Sequence, residues 1–391
     1  MIIYCLKWLL YKIIYLLGYI HFPKKNKKIT VFLRLDAIGD FVLWLPAFNE
    51  YIARHPDEYI VLICSEQDAY MAKKYARVDR IILCNKKEVF SISDSLWNFL
   101  KKNLQLSRVH CNKLIIPIYS RTVELSIAAY LIKADKKIAI DGDATGMPED
   151  INSKHNKIYS DFIKTTPYTI SEIKRNAEFM SKICSGKIVP HLADLKSKKK
   201  YFHDALPYFV IIPGGSIEWK CWDVNRYVAV AVKLQQQYNL KCVICGNEKE
   251  KRLGIPFEKQ KQLEVINLIG KTSIEELIEI IEHAEFLVGN DSAGIHIAAA
   301  TSTLAFCIFH GAYYGRFLPY NLEDERIEPV IINQKRACYG CALGKSGMDA
   351  YSEECKRNIE CNNRYLCLDE VTIEKVVEVI ETVLENKRNE D

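Results

Sequence analysis

ITVFLRLDAIGDFVLWLPAFNEYIARH, residues 29–55, decides the fold. Its opening run, ITVFLRL, is short, apolar and β-branched, the pattern of a parallel strand buried on both faces. The Gly39–Asp40 pair breaks that pattern, and a helical spacing takes over through Leu43, Leu45, Phe48 and Ile52. Downstream, strand-like runs recur at YIVLIC (59–64), RIILC (80–84), KLIIPI (113–118) and KKIAI (136–140), with helical stretches between them. Strand alternating with helix implies a doubly wound parallel sheet.

Residues 141–205 are polar and less regular; they hold a helix over 171–183 and the basic run KSKKK at 196–200, read as a solvated linker. A second series then begins. YFVIIP (208–213) runs into GGSIEWKCW, a helix covers 224–238, and further strands follow at KCVICG (241–246), VINLIG (265–270), EFLVGND (285–291) and LAFCIFH (304–310). Thr272 or Ser273 caps a helix with Glu275 and Glu276 in its first turn. The C-terminal helix puts Ile373, Val376, Val377, Ile380 and Val383 on one face. The expected fold class is therefore α/β, with two doubly wound Rossmann-like domains facing a central cleft, the GT-B arrangement. The expected division is an N-terminal apolar and basic helix (1–28), a first domain (29–195), a linker (196–206), a second domain (207–370) with a Cys-rich segment at 338–367, and a final helix (371–391).

The 391 residues suit two ordinary domains. A net charge of +5, from 54 basic and 49 acidic side chains, is too small an excess to argue for nucleic acid. The N-terminus, MIIYCLKWLLYKIIYLLGYIHF followed by PKKNKK, is nearly long enough to span a bilayer, but Lys7 and Lys12 make spanning costly. They lie roughly 140° apart on a helix. The stretch reads as an interfacial helix whose lysines snorkel toward headgroups, the later lysines attracting anionic lipid. It lacks a small-residue cleavage site, so the expected location is the cytoplasm, peripheral on the inner face of the cytoplasmic membrane.

Of the fourteen cysteines, Cys64, Cys84, Cys242, Cys245 and Cys307 lie singly in apolar runs and read as core residues. Cys338, Cys341, Cys355, Cys361 and Cys367 crowd the tail. Cys338 and Cys341 have zinc-ligand spacing, and Cys355 and Cys361 could complete four sulfurs. With no second C-x2-C pair, the reading favours structural thiols or a disulfide over a zinc or iron–sulfur site.

Three loops carry candidate chemistry, each at the carboxyl end of a strand, where α/β sheets bind ligands. In RLDAIGD, Gly39 permits the turn and Asp40 reads either as a helix N-cap or as a general base aimed outward; spacing alone favours the cap. In IIPGGSIEWKCW, Gly214, Gly215 and Ser216 offer backbone N–H groups suited to phosphate, and Lys220 adds positive charge. In VGNDSAGIHIAAA, Asp291 and Ser292 end a strand, Ala293 and Gly294 open a small-residue helix, and His296 lies one turn in. His296 reads equally as a buried structural histidine or as part of a site.

In this order and at these distances the loops resemble glycosyltransferase family 9, the lipopolysaccharide heptosyltransferase family. The family's R-L-x-x-x-G-D pattern corresponds to Arg34, Leu35, Gly39 and Asp40. Its P-G-[AG]-S-x-x-x-K-x-W pattern corresponds to Pro213, Gly214, Gly215, Ser216, Lys220 and Trp222. Its G-N-D-S-G-x-x-H-x-A-A-A hallmark reads GNDSAGIHIAAA here, with Ala293 at the usual glycine. The resemblance implies an inverting, metal-independent transfer from a nucleotide-sugar, an ADP-sugar such as ADP-heptose favoured, to a lipopolysaccharide, glycan or glycolipid acceptor. It requires no cofactor beyond that donor. It implies Asp40 as the base, Arg34 and Gly39 on the acceptor side, Ser216 and Lys220 at the donor diphosphate, and Asp291, Ser292, Ala293, Gly294 and His296 around donor sugar and phosphates. Glu250, in CGNEKE, would hold the ribose, with Glu248 as the alternative. The competing readings are a nucleotide-sugar epimerase and a non-catalytic nucleotide-sugar-binding protein.

Overall fold

Uniformly apolar strands hide both faces only in a parallel sheet covered on both sides by helices, and this chain builds two such sheets. The computed structural model describes residues 2–18, 28–91, 95–143, 149–167, 170–197, 199–202, 207–216, 220–323, 328–335 and 366–390. The chain divides into two compact units, Met1–Pro167 with Arg175–Pro190, and Tyr168–Lys174 with His191–Asp391. The basic run expected to be a linker falls in the second unit, where Leu195 N donates to Ala300 O at 3.0 Å and Ser197 N to the Glu282 carboxylate at 2.7 Å.

In the first unit, β1 (Ile29–Leu33), β2 (Tyr59–Cys64), β3 (Arg80–Leu83), β4 (His110–Ile116), β5 (Lys133–Asp141) and β6 (Asp161–Lys164) form one sheet in the order β3-β2-β1-β4-β5-β6. Every pair is parallel. The helices are α1 (Ile2–Leu17), α2 (Ile38–Arg54), α3 (Glu66–Tyr75), α4 (Lys86–Phe90), α5 (Leu96–Ser107), α6 (Val123–Leu131), α7 (Glu149–His155) and α8 (Glu172–Ile183), the last of which starts in the second unit. The aromatic face of α2 covers the sheet: Trp44, fully buried, stacks on Phe48 at 4.2 Å and lies beside Phe32 of β1. α1 packs on the same unit through Tyr11, whose hydroxyl donates to Val89 O at 2.8 Å, and Trp8, stacked on His155 at 5.3 Å. The snorkelling expected of both lysines is corrected for one of them. Lys7 Nζ turns to Phe90, 3.4 Å from its carbonyl oxygen and 4.4 Å from its ring, while Lys12 is exposed.

In the second unit, β7 (Tyr208–Ile212), β8 (Lys241–Ile244), β9 (Val265–Asn267), β10 (Leu287–Asn290), β11 (Ala305–Ile308) and β12 (Val330–Ile332) are ordered β12-β11-β10-β7-β8-β9, again all parallel. α9 (Val224–Tyr238), α10 (Ile255–Lys259), α11 (Ile274–Glu282), α12 (Ala293–Thr301) and the C-terminal helix Ile373–Glu390 flank it. Ser273 caps α11 in a capping box with Glu276. Val376, Val377 and Ile380 seal the core, as their spacing predicts. The five singly placed cysteines are all buried. Cys338, Cys341, Cys355 and Cys361 lie outside the described residues; Cys367 is buried, and its Sγ accepts from Gly311 N at 3.2 Å.

Both sheets share one winding rule. The first strand of each unit lies in the middle, and the winding direction reverses beside it, between β1 and β4 and between β7 and β10. Such reversals leave a crevice at the carboxyl ends of the strands.

Candidate functional site

At the β7/β10 reversal, Asn290 at the end of β10 binds two loops together. It is 1% exposed. Its Nδ2 donates to Pro213 O at 2.8 Å and Gly214 O at 3.3 Å, while its Oδ1 accepts from Trp222 N and from the Tyr227 hydroxyl, both at 2.9 Å. The Pro213–Gly214 turn is thereby fixed beside Asp291 and Ser292. Glu250 braces it from the other side. Its Oε2 accepts from Asn247 N at 2.7 Å in a capping box, and a Cβ on Gly214 would lie 2.3 Å from its Oε1. The Glu250 carboxylate occupies the space a side chain at 214 would take, so any larger residue there must displace it. Gly215 borders Cys221, and Ser216 beyond it is exposed.

Asp291 follows directly. Its side chain is 7% exposed, with Oδ1 3.9 Å from His296 Nε2 and Oδ2 3.6 Å from His310 Nε2. Burial pushes the carboxyl upward, but His310, His296 and Lys220 together hold it below the ordinary value. Burial lowers both imidazoles despite the pull of Asp291, so each is neutral near pH 7. His296 Nδ1 shares a hydrogen bond with the Tyr320 hydroxyl at 2.7 Å, while its Nε2 faces Asp291 from beyond hydrogen-bond distance. His296 is thus both the buried, hydrogen-bonded histidine and a member of the site. Lys220 Nζ stands 4.2 Å over the Tyr313 ring, and Arg316 Nε donates to Glu172 at 2.6 Å.

Ser292 is the N-cap residue of α12, yet its hydroxyl makes no capping bond, and its Oγ is buried with no partner among the described residues. Ala293 and Gly294 begin the helix, and a Cβ on Gly294 would come within 2.3 Å of Ile212 Cδ1, so α12 lies tight against β7. The N–H groups of its first turn, the Ser292 hydroxyl, the glycine turn and Lys220 offer donors and positive charge, a cradle for an anion.

The β1/β4 reversal of the first unit holds Arg34, Gly39 and Asp40. Arg34, 2% exposed, straddles it: Nη1 donates to Pro117 O at 2.9 Å, and Nη2 to Asp36 Oδ2 at 2.7 Å and Asp40 O at 3.0 Å. Its guanidinium lies 4.9 Å over Trp44. The cap reading of Asp40 is corrected, since α2 starts at Ile38 with Ala37 as its N-cap. Gly39 is buried in the first turn, and Asp40, half-buried, follows it in the same turn, where the helix dipole favours a carboxylate. Two further carboxylates crowd the site. Burial, opposed by Arg34, raises Asp36 to about 6, and burial likewise raises Asp68 to about 6. Asp36, Asp68, Asn290 and His310 are the residues sequence reasoning passed over. The signal available for His310 is a polar side chain at the carboxyl end of a strand next to β10.

The model of glycosyltransferase family 9 (heptosyltransferase) matches residues 124–345. The chain belongs to this family. Among curated relatives, lipopolysaccharide heptosyltransferase 3 of Escherichia coli K12 is 35% identical over 105 residues, 26% of this chain and 30% of that protein. The chain thus spans less than a third of that relative's length. Two solved structures share the fold. The family 9 glycosyl transferase of Veillonella parvula DSM 2008 is 15% identical with a TM-score of 0.65, covering 94% of this chain and 100% of the other. The E. coli heptosyltransferase WaaC solved with ADP-2-deoxy-2-fluoro heptose is 16% identical with a TM-score of 0.61, covering 90% and 99%. Two Rossmann-like parallel-sheet domains of the GT-B class are the architecture common to them. Among the described residues, no group of three or more His, Cys, Asp and Glu side chains is placed to hold a metal ion.

Proposed function

We propose that this family 9 chain is an inverting glycosyltransferase that moves a sugar, a heptose or a relative of it, from an ADP-sugar to a lipopolysaccharide or other surface-glycan acceptor. The observation that carries the reading is the buried Asp291 carboxylate held between two neutral imidazoles beside Lys220, where the uncapped N-terminus of α12 and the Ser292 hydroxyl offer donors to a diphosphate. Lys220, Ser216 and the amides of Ala293 and Gly294 bind the diphosphate and offset the charge that builds on it as the glycosidic C–O bond breaks. Asp291 accepts hydrogen bonds from donor-sugar hydroxyls, with His296 fixing its direction. Glu250 faces the ribose. Asp40 takes the proton from the acceptor hydroxyl as that oxygen attacks the anomeric carbon, and Arg34, bound to the Asp40 carbonyl oxygen, sets its position on the acceptor side. The positive charge supplied by Lys220 and the helix terminus supports transfer without a metal, which activity unchanged by chelator would bear out. The acceptor's lipid places the work at the inner face of the cytoplasmic membrane.

A thermal-shift comparison of ADP-, UDP-, GDP- and CDP-sugars identifies the donor: a ligand at a hundred times its Kd stabilises by about 2.7 kcal/mol. Asp40→Asn is expected to lower transfer at least about a thousandfold, removing the base while leaving the donor cradle intact. Product analysis with the true donor should find the sugar on the acceptor with inverted anomeric configuration. Full activity in Asp40→Asn, or a changed donor without any acceptor, defeats the assignment; the second outcome is that of an epimerase.

A further inference from the structure

α1 is mostly apolar, with Lys7 and Lys12 as its charges, and among its described side chains one apolar side is covered while another is exposed. Tyr11 and Ile14 are buried against the first unit, with Trp8 and Tyr15 packed beside them. Leu9, Ile13, Leu16 and Leu17, spaced i, i+4, i+7 and i+8 and so on one side of the helix, are 55%, 47%, 64% and 49% exposed. α5 lies alongside in the same sense, Tyr11 meeting Phe99 at 5.8 Å and Gly18 abutting Ser107. α5 begins with two more exposed apolar residues, Leu96 at 55% and Trp97 at 73%. Lys101 and Arg108 follow Trp97 at helical spacing, and both are exposed. Leu83, exposed at the end of β3, is joined to α5 through Lys102, whose Nζ donates to its carbonyl oxygen at 2.7 Å.

We propose that the outer faces of α1 and α5 together form the surface by which this protein lies on an anionic lipid bilayer, with Leu9, Ile13, Leu16 and Trp97 entering the headgroup–acyl boundary. Charge selects this occupant. Neither helix contains an aspartate or glutamate. Lys12 borders the apolar stripe, Lys101 lies on the neighbouring helix and Arg108 caps its C-terminus, and the sequence after α1 continues into PKKNKK. Aliphatic residues with an exposed tryptophan and surrounding lysines are what an interface with phosphatidylglycerol-like headgroups rewards. Docking by one face also prevents α1 from spanning. Its 16 residues cover about 24 Å, short of a hydrocarbon core of about 30 Å, and no described helix is long and apolar enough to cross a membrane. The inference deepens the membrane-surface part of the reading above and rests on no step of the transfer chemistry.

Flotation with vesicles tests it on the full chain, with no donor or acceptor present, so its outcome is separate from that of the activity assays. The wild type is expected to float with vesicles of equal parts phosphatidylglycerol and phosphatidylcholine, and at least about tenfold less with phosphatidylcholine alone. The variant Leu9→Ser/Ile13→Ser/Leu16→Ser should lose at least about tenfold in partitioning to anionic vesicles, and Trp97→Ser should weaken it separately. These side chains are exposed, so both variants should melt with the wild type and keep their ADP-sugar thermal shift. The proposal fails if the serine variants float like the wild type, or if binding ignores lipid charge. It fails equally if lipid-free protein sediments as a dimer that the triple variant dissociates, because the occupant is then a second copy.

Discussion

At Asp68 the residue scale already yields a sign. Its carboxyl is wholly buried at the start of α3, receives the Ser65 hydroxyl at 2.8 Å, and has its Oδ1 without a partner among the described residues. Burial, the main cause, and the charge of Asp40 raise it to about 6 from 3.8. Between those two pH values the folded state holds a proton that the unfolded state has lost, so the contribution to stability is full below pH 3.8 and falls away as pH rises through 6. Asp68→Asn keeps the acceptor for Ser65 and removes the charge. The variant should gain about 2 kcal/mol over the wild type at pH 7.5, a gain that vanishes below pH 4 in urea melts. A variant no more stable at pH 7.5 shows that the carboxylate is repaid by its neighbours. Asp68 and His310 were illegible in the sequence for the same reason. Each meets the rest of its site on another element, Asp68 at Arg34 and Asp40 and His310 at Asp291, and no local pattern records such a meeting. Asp291, Ser292 and Lys220 were legible because turn and helix start are written in adjacent residues.

At the scale of elements, α2 starts on an alanine. Ala37 has φ −82° and ψ 157°, a geometry that suits serine, yet it offers no oxygen to the first-turn amides. Ala37→Ser should add about 1 kcal/mol to the urea-unfolding free energy; no gain would mean those amides are already satisfied. The strands that the sequence made plain, β1, β2, β7 and β11 among them, are apolar runs buried nearly throughout. β6 and β12 are not legible in the sequence, although the other two edge strands, β3 and β9, are. Asp161–Lys164 has exposed charged ends, Val330–Ile332 has only three residues, and neither carries a two-faced apolar signal. The cap at Asp40 was misplaced by three residues for want of any cue at Ala37, since an alanine N-cap has no side-chain signature.

At the scale of the whole molecule, the donor should leave a local trace. If the second unit binds the ADP-sugar, amide hydrogen exchange should slow most in the turn after β7, at the end of β10 and in the first turn of α12, and least in β2 and β3 of the first unit. Slowing confined to the first unit would place the donor elsewhere. The central position of each unit's first strand also matters during synthesis. Thr30 pairs with Lys113, and Val210 with Leu287. As the chain leaves the ribosome, β1 and β7 therefore wait with an open hydrogen-bonding edge until a distant strand emerges to cover it. Stalling translation just before residue 113 should leave nascent chains dependent on a chaperone, and release past β4 should end that dependence.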